Sequence, residues 1–222
     1  MNQETWTAVD RYLTDLLGPP DPALDPALAD SAAAGLPPIN VSPPQGRLLQ
    51  LLTRMQGARN ILEIGTLGGY STIWLARALP TGGRLITLEF DPKHAEVARG
   101  NLARAGVAGV VELRVGRALD TLPQLAAEGR GPFDLFFIDA DKQSTADYFT
   151  WSLKLSRRGS VIIVDNVVRK GAVTNADSDD PNVQGMRRFH EALAAEKRVS
   201  ATVIQTVGSK GYDGFAIAFV MC

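Results

Sequence analysis

The sequence predicts an α/β fold: a mostly parallel, seven-stranded sheet with helices on both faces and an antiparallel hairpin at its C-terminal end. Three observations predict it. Short apolar runs alternate with longer, more polar stretches between residues 60 and 196, the pattern of repeated strand–helix units. Two of these runs stop abruptly at an aspartate, as buried parallel strands do when they carry a polar group at their carboxyl end. The last two runs, Ser200–Thr206 and Gly214–Val220, have no room for a crossover helix and must pair antiparallel.

The N-terminal part, residues 1–45, is predicted to be a helical flap on a single domain that spans residues 1–222. Two proline-rich stretches interrupt it, because proline lacks the backbone donor that a helix needs. In order, we predict a helix over residues 3–17, a proline-rich break at Gly18–Pro26, a short helix at Ala27–Ala34, a second break at Leu36–Gly46, and a helix after Pro44 with Ser42 as its cap.

From Asn60 onward the strands and helices alternate regularly. Connections of this length are right-handed crossovers, which cover both faces of a parallel sheet. Five parallel strands completed by a hairpin form the Rossmann-like shape of the class I methyltransferases. The predicted strands are Asn60–Ile64, Arg84–Glu89, Val110–Val115, Asp134–Asp139 and Ser160–Asp165, and the predicted helices are Gly69–Leu79, Pro92–Ala105, Ala118–Glu128, Thr145–Leu155 and Asn182–Glu196.

Composition narrows the possible functions. With 222 residues, 45% of them hydrophobic, the chain can bury a full core as one domain. The net charge of -1 provides no overall field that would recruit nucleic acid or anionic lipid. The single cysteine, Cys222, excludes an internal disulfide and fits a reducing compartment. The sequence shows neither a leader pattern nor an apolar run of membrane-spanning length, so we expect a cytoplasmic protein without membrane or nucleic-acid partners.

A glycine-rich loop follows the first predicted strand. In EIGTLGGYS, Gly65, Gly68 and Gly69 allow a tight turn, a close approach of the backbone to a ligand and free N–H groups at a helix start. The spacing departs from the GxGxxG of dinucleotide enzymes, and glycines that only form a turn are the alternative. Glu89, at the end of the second strand, can accept hydrogen bonds from a ribose diol. Glu63, just before the loop, binds the same ligand or only orders the loop.

Oxygen-bearing side chains follow the fourth and fifth predicted strands. Asp139, Asp165 and Asn166 offer hard oxygen ligands without histidine or cysteine, a set that suits Mg²⁺, Mn²⁺ or Ca²⁺ and disfavours zinc. Each aspartate alone would more often be a helix cap. Lys142, three residues after Asp139, is expected near the same pocket, although a surface lysine is the simpler alternative.

Five motifs together resemble one family. In the order and spacing ILEIGTLGGYS, LITLEFDP, GRALDTLP, FFIDADK and VIIVDN, the chain resembles the cation-dependent O-methyltransferases typified by caffeoyl-CoA O-methyltransferase, with catechol O-methyltransferase more distant. The resemblance covers residues 41 to the C-terminus. It implies that Asp139, Asp165 and Asn166 hold the metal and that Lys142 is the general base. It also implies a homodimer and a site for S-adenosylmethionine (SAM) formed by Val41, Glu63, Gly65, Ser71, Glu89, Gly116, Ala118 and Asp139.

The predicted reaction is methyl transfer from SAM to one hydroxyl of a vicinal diphenol whose two oxygens the cation chelates. A metal-independent methyltransferase and a nicotinamide-dependent oxidoreductase are the alternatives. A noncatalytic RNA- or ligand-binding module would need stacking aromatics or basic stripes, and the chain has few.

The chain departs from the family at Thr145, where an aromatic residue is common, and its nearest aromatic is Tyr148. Arg169 and Lys170 steer an anionic substrate or are solvated, and His94 and His190 are predicted surface groups.

Overall fold

The computed structural model describes residues 2–18 and 21–222. Eight α-helices and seven strands make up the described fold, with short 3₁₀ turns between some of them. The helices are α1 Gln3–Leu17, α2 Leu24–Ala33, α3 Pro43–Gln56, α4 Tyr70–Ala76, α5 Pro92–Arg104, α6 Ala118–Ala127, α7 Thr145–Lys154 and α8 Pro181–Ala195. The strands are β1 Asn60–Ile64, β2 Arg84–Glu89, β3 Val111–Val115, β4 Phe133–Ile138, β5 Ser156–Asp165, β6 Val199–Gly208 and β7 Gly211–Val220.

All seven strands form one sheet in the order β3-β2-β1-β4-β5-β7-β6. Strands β1 to β5 pair in parallel, whereas β7 pairs antiparallel with both β5 and β6. The chain order reverses beside β1, so the carboxyl ends of β1 and β4 border the crevice where open α/β sheets bind ligands. The predicted fold class is confirmed, including the C-terminal hairpin.

The sheet separates two apolar cores, because successive strand residues face opposite sides. Phe136 belongs to the core that contains Phe149 and Phe189, under α7 and α8. Its neighbour Phe137 belongs to the opposite core with Trp74, under α3 and α4. Phe136 and Phe137 are both almost fully buried. A central strand with large apolar residues on both faces fixes its register, because a one-residue slip would exchange the two cores.

Several boundaries differ from the prediction. Helix α2 begins at Leu24, inside the proline-rich break, because Asp21 accepts the backbone N–H groups of Ala23 and Leu24 and Pro26 lies in the first helical turn, where proline is tolerated. Strand β5 begins at Ser156, four residues before the predicted start, since it pairs with β4 from Phe133 onward. The hairpin strands extend to a tight turn at its tip.

The N-terminal segment contacts the rest of the protein through polar side chains. Gln3 of α1 donates to the Gly208 carbonyl at 2.9 Å, and the Ser209 N–H donates to Asp10 at 2.7 Å, so α1 holds the hairpin tip. Asp21 forms a bidentate ion pair with Arg77, the residue that follows α4, and the shorter of its two contacts is 2.6 Å. None of the described helices is long and apolar enough to cross a membrane.

Asp134, at the end of the sheet remote from the crevice, is expected to be a large contributor to stability. Its carboxylate accepts the backbone N–H groups of Arg59 and Asn60 at 2.8 and 2.9 Å and the Arg157 guanidinium at 2.6 Å. Replacing Asp134 with alanine leaves these donors unpaired, so we expect a loss of about 2–3 kcal/mol in the free energy of unfolding by urea denaturation.

The pH dependence of this contribution is a second readout. Burial alone would raise the pKa of Asp134, but its hydrogen bonds from the Arg59 N–H, the Arg157 guanidinium and the Asn60 N–H outweigh burial and lower it. The stabilisation is therefore present above the pKa of the unfolded chain and is lost as pH falls through the lower folded-state pKa. An Asp134→Ala variant whose stability equals that of the wild type at neutral pH would contradict this account.

Candidate active site

Three carboxylates and one glycine lie on a single row across four neighbouring strands. The strand register pairs Leu88 with Ile64, Ile64 with Ile138 and Ile138 with Val164, so the next row contains Glu89, Gly65, Asp139 and Asp165. Backbone hydrogen bonds continue from the strands into this row. The Gly65 N–H donates to the Leu88 carbonyl and the Asp139 N–H donates to the Ile64 carbonyl, both at 2.9 Å. Because register neighbours of parallel strands point to the same face, the acidic side chains all face the α3–α4 side.

Gly65 is required at the centre of this row. Its φ is +99°, and a Cβ built there would lie 2.0 Å from the Asp139 carbonyl oxygen. No side chain fits between the two strand ends, so the row keeps a gap with a carboxylate on either side.

Glu89 both closes the glycine loop and faces the crevice. Its carboxylate accepts the backbone N–H groups of Thr66 at 3.1 Å, Leu67 at 2.7 Å and Asp91 at 3.0 Å. Each carboxylate oxygen has two acceptor positions, so capacity for a ligand hydroxyl remains. His94 Nδ1 lies 3.4 Å from a Glu89 oxygen and its side chain is mostly buried.

The prediction that both histidines are surface groups is therefore wrong. His94 lines the crevice beside Glu89 because the first turn of α5 folds back over the end of β2. His190 is half-buried against the Phe189 ring, with ring centroids 5.7 Å apart. Burial and the nearby Arg187 lower the pKa of His190.

Glu63 lies beneath the crevice rather than in its wall. The side chain is fully buried, and its carboxylate accepts hydroxyl groups from Ser71 at 2.6 Å, Thr72 at 2.5 Å and Thr87 at 2.7 Å. These bonds tie the start of α4 to β1 and β2. Burial raises the pKa of Glu63 to about 7, against the lowering effect of the three hydroxyl donors.

This raised pKa predicts a pH-dependent stability. Between the ordinary value of 4.5 and about 7, the folded protein binds more protons at Glu63 than the unfolded chain does. The contribution is thus fully present below pH 4.5 and is lost as pH rises through 7, with a slope of at most about 1.4 kcal/mol per pH unit. The Glu63→Gln variant cannot titrate, so its stability relative to the wild type should rise between pH 5 and pH 8. Urea denaturation across this range measures the difference, and parallel curves for the two proteins would refute it.

A second group of polar side chains surrounds the ends of β4 and β5. The Lys142 ammonium donates to Asp139 at 2.7 Å, and Gln45 of α3 donates to Asp165 at 2.7 Å. Burial and the charge of Asp139 raise the pKa of Asp165, against the lowering effect of Lys142 and of its hydrogen bonds. Asn166 turns the chain out of β5 with a φ of +57°, a conformation that asparagine tolerates better than most residues.

The arrangement of these groups fits a hard divalent cation. Two carboxylates lie at the ends of adjacent strands, whose backbones are about 4.8 Å apart in any sheet, and an amide side chain follows directly. Like charges held together in a buried site are relieved by a bound cation, and carboxylate and amide oxygens suit Mg²⁺, Mn²⁺ or Ca²⁺. Within residues 2–18 and 21–222 no three His, Cys, Asp or Glu side chains cluster to hold a metal, so a cation at this position would need a third ligand of another kind, such as the amide of Asn166.

One cavity of about 970 Å³ opens onto three members of this row, Glu89, Gly65 and Asp139. This volume is at the upper end for small-molecule sites and accommodates two ligands side by side. Sequence patterns do not mark Gln45 or His94 as site residues, because each reaches the site from an element whose position depends on tertiary packing. Of the residues predicted from the sequence, the cavity wall contains Val41, Gly65, Ser71, Glu89, Gly116, Ala118, Asp139, Lys142 and Asn166, with Glu63 and Asp165 behind it.

Tyr148 supplies the aromatic residue that position 145 lacks. It lies one turn further along α7, is almost fully buried and lines the cavity. Its hydroxyl donates to Asp141, which also caps the turn after Lys142 by accepting the Ser144 N–H at 3.2 Å. Burial, together with the hydrogen bond and charge of Asp141, raises the pKa of Tyr148, so this hydroxyl stays protonated.

Known proteins resemble the chain over its whole length. The profile of the O-methyltransferase family matches residues 24–216. A catechol O-methyltransferase of Niastella koreensis is 56% identical over 220 residues, which cover 99% of this chain and 100% of that protein. An O-methyltransferase from Bacillus cereus, solved in complex with SAH, has a TM-score of 0.97 and 62% identity, covering 99% of this chain and 100% of that chain.

A second solved structure shows the same correspondence. It is an O-methyltransferase from Streptomyces achromogenes that is involved in tomaymycin synthesis and was solved in complex with SAM. Its TM-score is 0.97 at 57% identity, and each chain covers 100% of the other. The resemblance inferred from the five motifs is thus confirmed. The chain belongs to the O-methyltransferase family.

Proposed function

We propose that the protein is a SAM-dependent and divalent-cation-dependent O-methyltransferase that methylates one hydroxyl of a vicinal diphenol. The observation that carries this proposal is the row of Glu89, Gly65, Asp139 and Asp165, of which the first three line one cavity together with Lys142, with Asp165 directly behind the wall. A cofactor site and an oxygen-rich site thus share one wall. The relatives solved with SAM or SAH and the relative that is a catechol O-methyltransferase support the same assignment.

SAM would lie along the glycine loop. Glu89 would accept the ribose hydroxyls, and Asp139 would approach the methionine amine. Glu63 would hold Ser71 and the start of α4 in place from below. The remaining predicted contacts come from Val41, Gly65, Gly116 and Ala118, all in the cavity wall.

Asp139, Asp165 and Asn166 would hold the cation, with Mg²⁺ preferred and Mn²⁺ or Ca²⁺ as alternatives. When bound, a divalent cation at this position acidifies a coordinated hydroxyl and orients the vicinal pair. Lys142, in its neutral amine form, would take the proton from the attacking hydroxyl and become the ammonium, and its contact with Asp139 would hold the amine in the cavity wall near that oxygen. The protein further accelerates the reaction by holding the acceptor oxygen and the methyl donor in line.

The test is methyl transfer from isotope-labelled SAM to a panel of vicinal diphenols, with Mg²⁺ and with EDTA. We expect monomethylated products that disappear with the chelator. Methylation that survives EDTA would favour the metal-independent methyltransferase. Thermal protection by a nicotinamide cofactor but not by SAM would favour the oxidoreductase.

Glu89 provides a test of the cofactor site alone. Replacing Glu89 with alanine removes a charged acceptor for the ribose and frees the loop N–H groups that it binds. We expect SAM affinity, measured by calorimetry, to fall about 10- to 100-fold. The control is Glu96→Gln, an exposed acid of helix α5, which follows Glu89 in the chain, and this variant should bind SAM like the wild type. Equal SAM affinities of the Glu89→Ala variant and the control would contradict the ribose role.

The proposal also includes a cytoplasmic homodimer that acts on small hydroxylated aromatic molecules. Helix α1 has no buried residue and exposes apolar side chains, among them Tyr12, Leu16 and Leu17. An exposed apolar patch of this kind is typical of a protein–protein interface. Light scattering coupled to size exclusion measures the oligomeric state, and a monomer at micromolar concentration would contradict this part of the proposal.

A further inference from the structure

We propose that the acceptor carries a carboxylate on a side arm and that Arg169, with Lys210, binds this carboxylate at the mouth of the active-site cavity. The inference rests on the proposed function, because it names the substrate class of the same site. Three features of the loop after β5 and of the hairpin tip support it.

The first feature is a backbone held in a strained conformation. Arg169 and Lys170 have φ values of +52° and +55°, which are uncommon for residues other than glycine. Asp213 of β7 holds the loop there, because one of its oxygens accepts the N–H groups of Val168, Arg169 and Gly214 at 2.9 to 3.0 Å. Strain that is maintained by specific hydrogen bonds often marks a functional loop.

The second feature is the lack of a partner for the Arg169 guanidinium. Its Nε is buried and unbonded, and among the described residues the side chain makes neither a hydrogen bond nor an ion pair. Arg130, whose Nε is also buried and unbonded, differs because its guanidinium pairs with Glu112. Arg169 lines the same cavity as Lys142 and Asn166. A guanidinium with free donors in a cavity wall is suited to a planar carboxylate, which it binds with two parallel hydrogen bonds.

The third feature is a basic rim that continues outward from Arg169. Lys210, at the hairpin tip, lines the main cavity and donates to the Pro38 carbonyl at 3.0 Å, which leaves other ammonium protons free. It also lines a neighbouring shallow cavity that contains Lys170 and Trp6. Neither lysine forms an ion pair within the part of the chain that the structure describes.

The charge pattern sets the orientation of such an acceptor. Asp139 in the cavity wall and Asp165 behind it repel an anion, whereas Arg169 and Lys210 in the same wall attract one. A vicinal diphenol with an acidic arm therefore binds with its hydroxyls toward Asn166 and Lys142 and its carboxylate toward Arg169. Electrostatic complementarity of this kind contributes chiefly to specificity.

The experiment compares acids with their methyl esters. Suitable pairs are 3,4-dihydroxyphenylacetate and 3-(3,4-dihydroxyphenyl)propionate, each with its methyl ester. Because a saturated arm separates the carboxyl group from the ring, the phenols of an acid and of its ester have similar acidity. We expect the wild type to prefer the acids about 10-fold or more in kcat/KM. The Arg169→Gln variant should lose this preference, mainly through a higher KM for the acids, and Arg169→Lys should restore part of it. Lys210→Gln should reduce the preference in the same direction.

The matched control is Arg99→Gln, an exposed arginine of α5, which should keep the wild-type preference. Melting temperatures of all variants separate misfolding from lost recognition, and Lys210→Gln tests the proposal if Arg169→Gln does not fold. Methylation of acids and esters with equal kcat/KM by the wild type would overturn the inference while the proposed function stands. Failure to methylate catechol, the esters and the acids alike would overturn the proposed function and the inference with it.

Discussion

Replacing Lys142 with methionine is expected to lower kcat about 10²- to 10⁴-fold, the range for loss of a positioned general base. The Lys142 ammonium is 2.7 Å from Asp139, and its side chain is only 12% exposed, so bulk solvent is a poor substitute for it. SAM binding should change little, because the glycine loop and Glu89 are untouched. The measurement pairs steady-state kinetics with calorimetric SAM binding on the same preparation.

The matched variant is Lys142→Arg. Arginine keeps the positive charge and can still pair with Asp139, but it does not give up its proton and so cannot act as a base. We expect it to be as inactive as Lys142→Met. If Lys142→Arg instead restores activity, Lys142 acts through its charge alone and another group accepts the proton.

The second large effect is expected at Asp165. The Asp165→Asn variant keeps the shape of the side chain and one oxygen as an acceptor. It removes the negative charge from a nearly fully buried position beside Asp139. We expect kcat/KM to fall about 100-fold or more at fixed Mg²⁺, because Lewis-acid assistance contributes several kcal/mol to such reactions. The Mg²⁺ concentration for half-maximal activity should also rise. Titration of activity against Mg²⁺ measures both quantities.

The control for Asp165 is Asp134→Asn, an equally buried carboxylate at the opposite end of the sheet. This variant should lose stability and keep the wild-type Mg²⁺ dependence. Wild-type activity that persists in EDTA, together with a fully active Asp165→Asn variant, would contradict the chelation mechanism. Loss of activity without any change in Mg²⁺ dependence would assign Asp165 a structural role.

Most of the fold could be predicted because local patterns and long-range pairing agree. The strand that ends at Ile64 and the strand Arg84–Glu89 begin and end as predicted. Each is an apolar run of strand length, bounded by polar residues or turn glycines that leave little choice of boundary. The start of β5 was harder to predict. Arg157 and Arg158 interrupt the apolar pattern, although the backbone already pairs with β4 from Ser156.

The side chains that complete the site were the least predictable. Gln45 reaches Asp165 from 120 residues away in sequence, and nothing in the residues around it distinguishes it from an ordinary helix surface residue. His94 was assigned to the surface for the same reason. Tyr148 had a local signal, because it lies one helical turn beyond the position where the family has an aromatic residue.

The sequence by itself determined the order of strands and helices, the strand-end carboxylates and the family. These properties follow from residue type and spacing along the chain, which act locally. Only the tertiary structure decided that Glu89, Gly65, Asp139 and Asp165 share one row, that Glu63 lies beneath the cavity wall, and that Arg169 lines the cavity with no partner among the residues that the structure describes. Those facts depend on strand register and on the packing of distant elements, which are set by burial over the whole sheet rather than by any short segment.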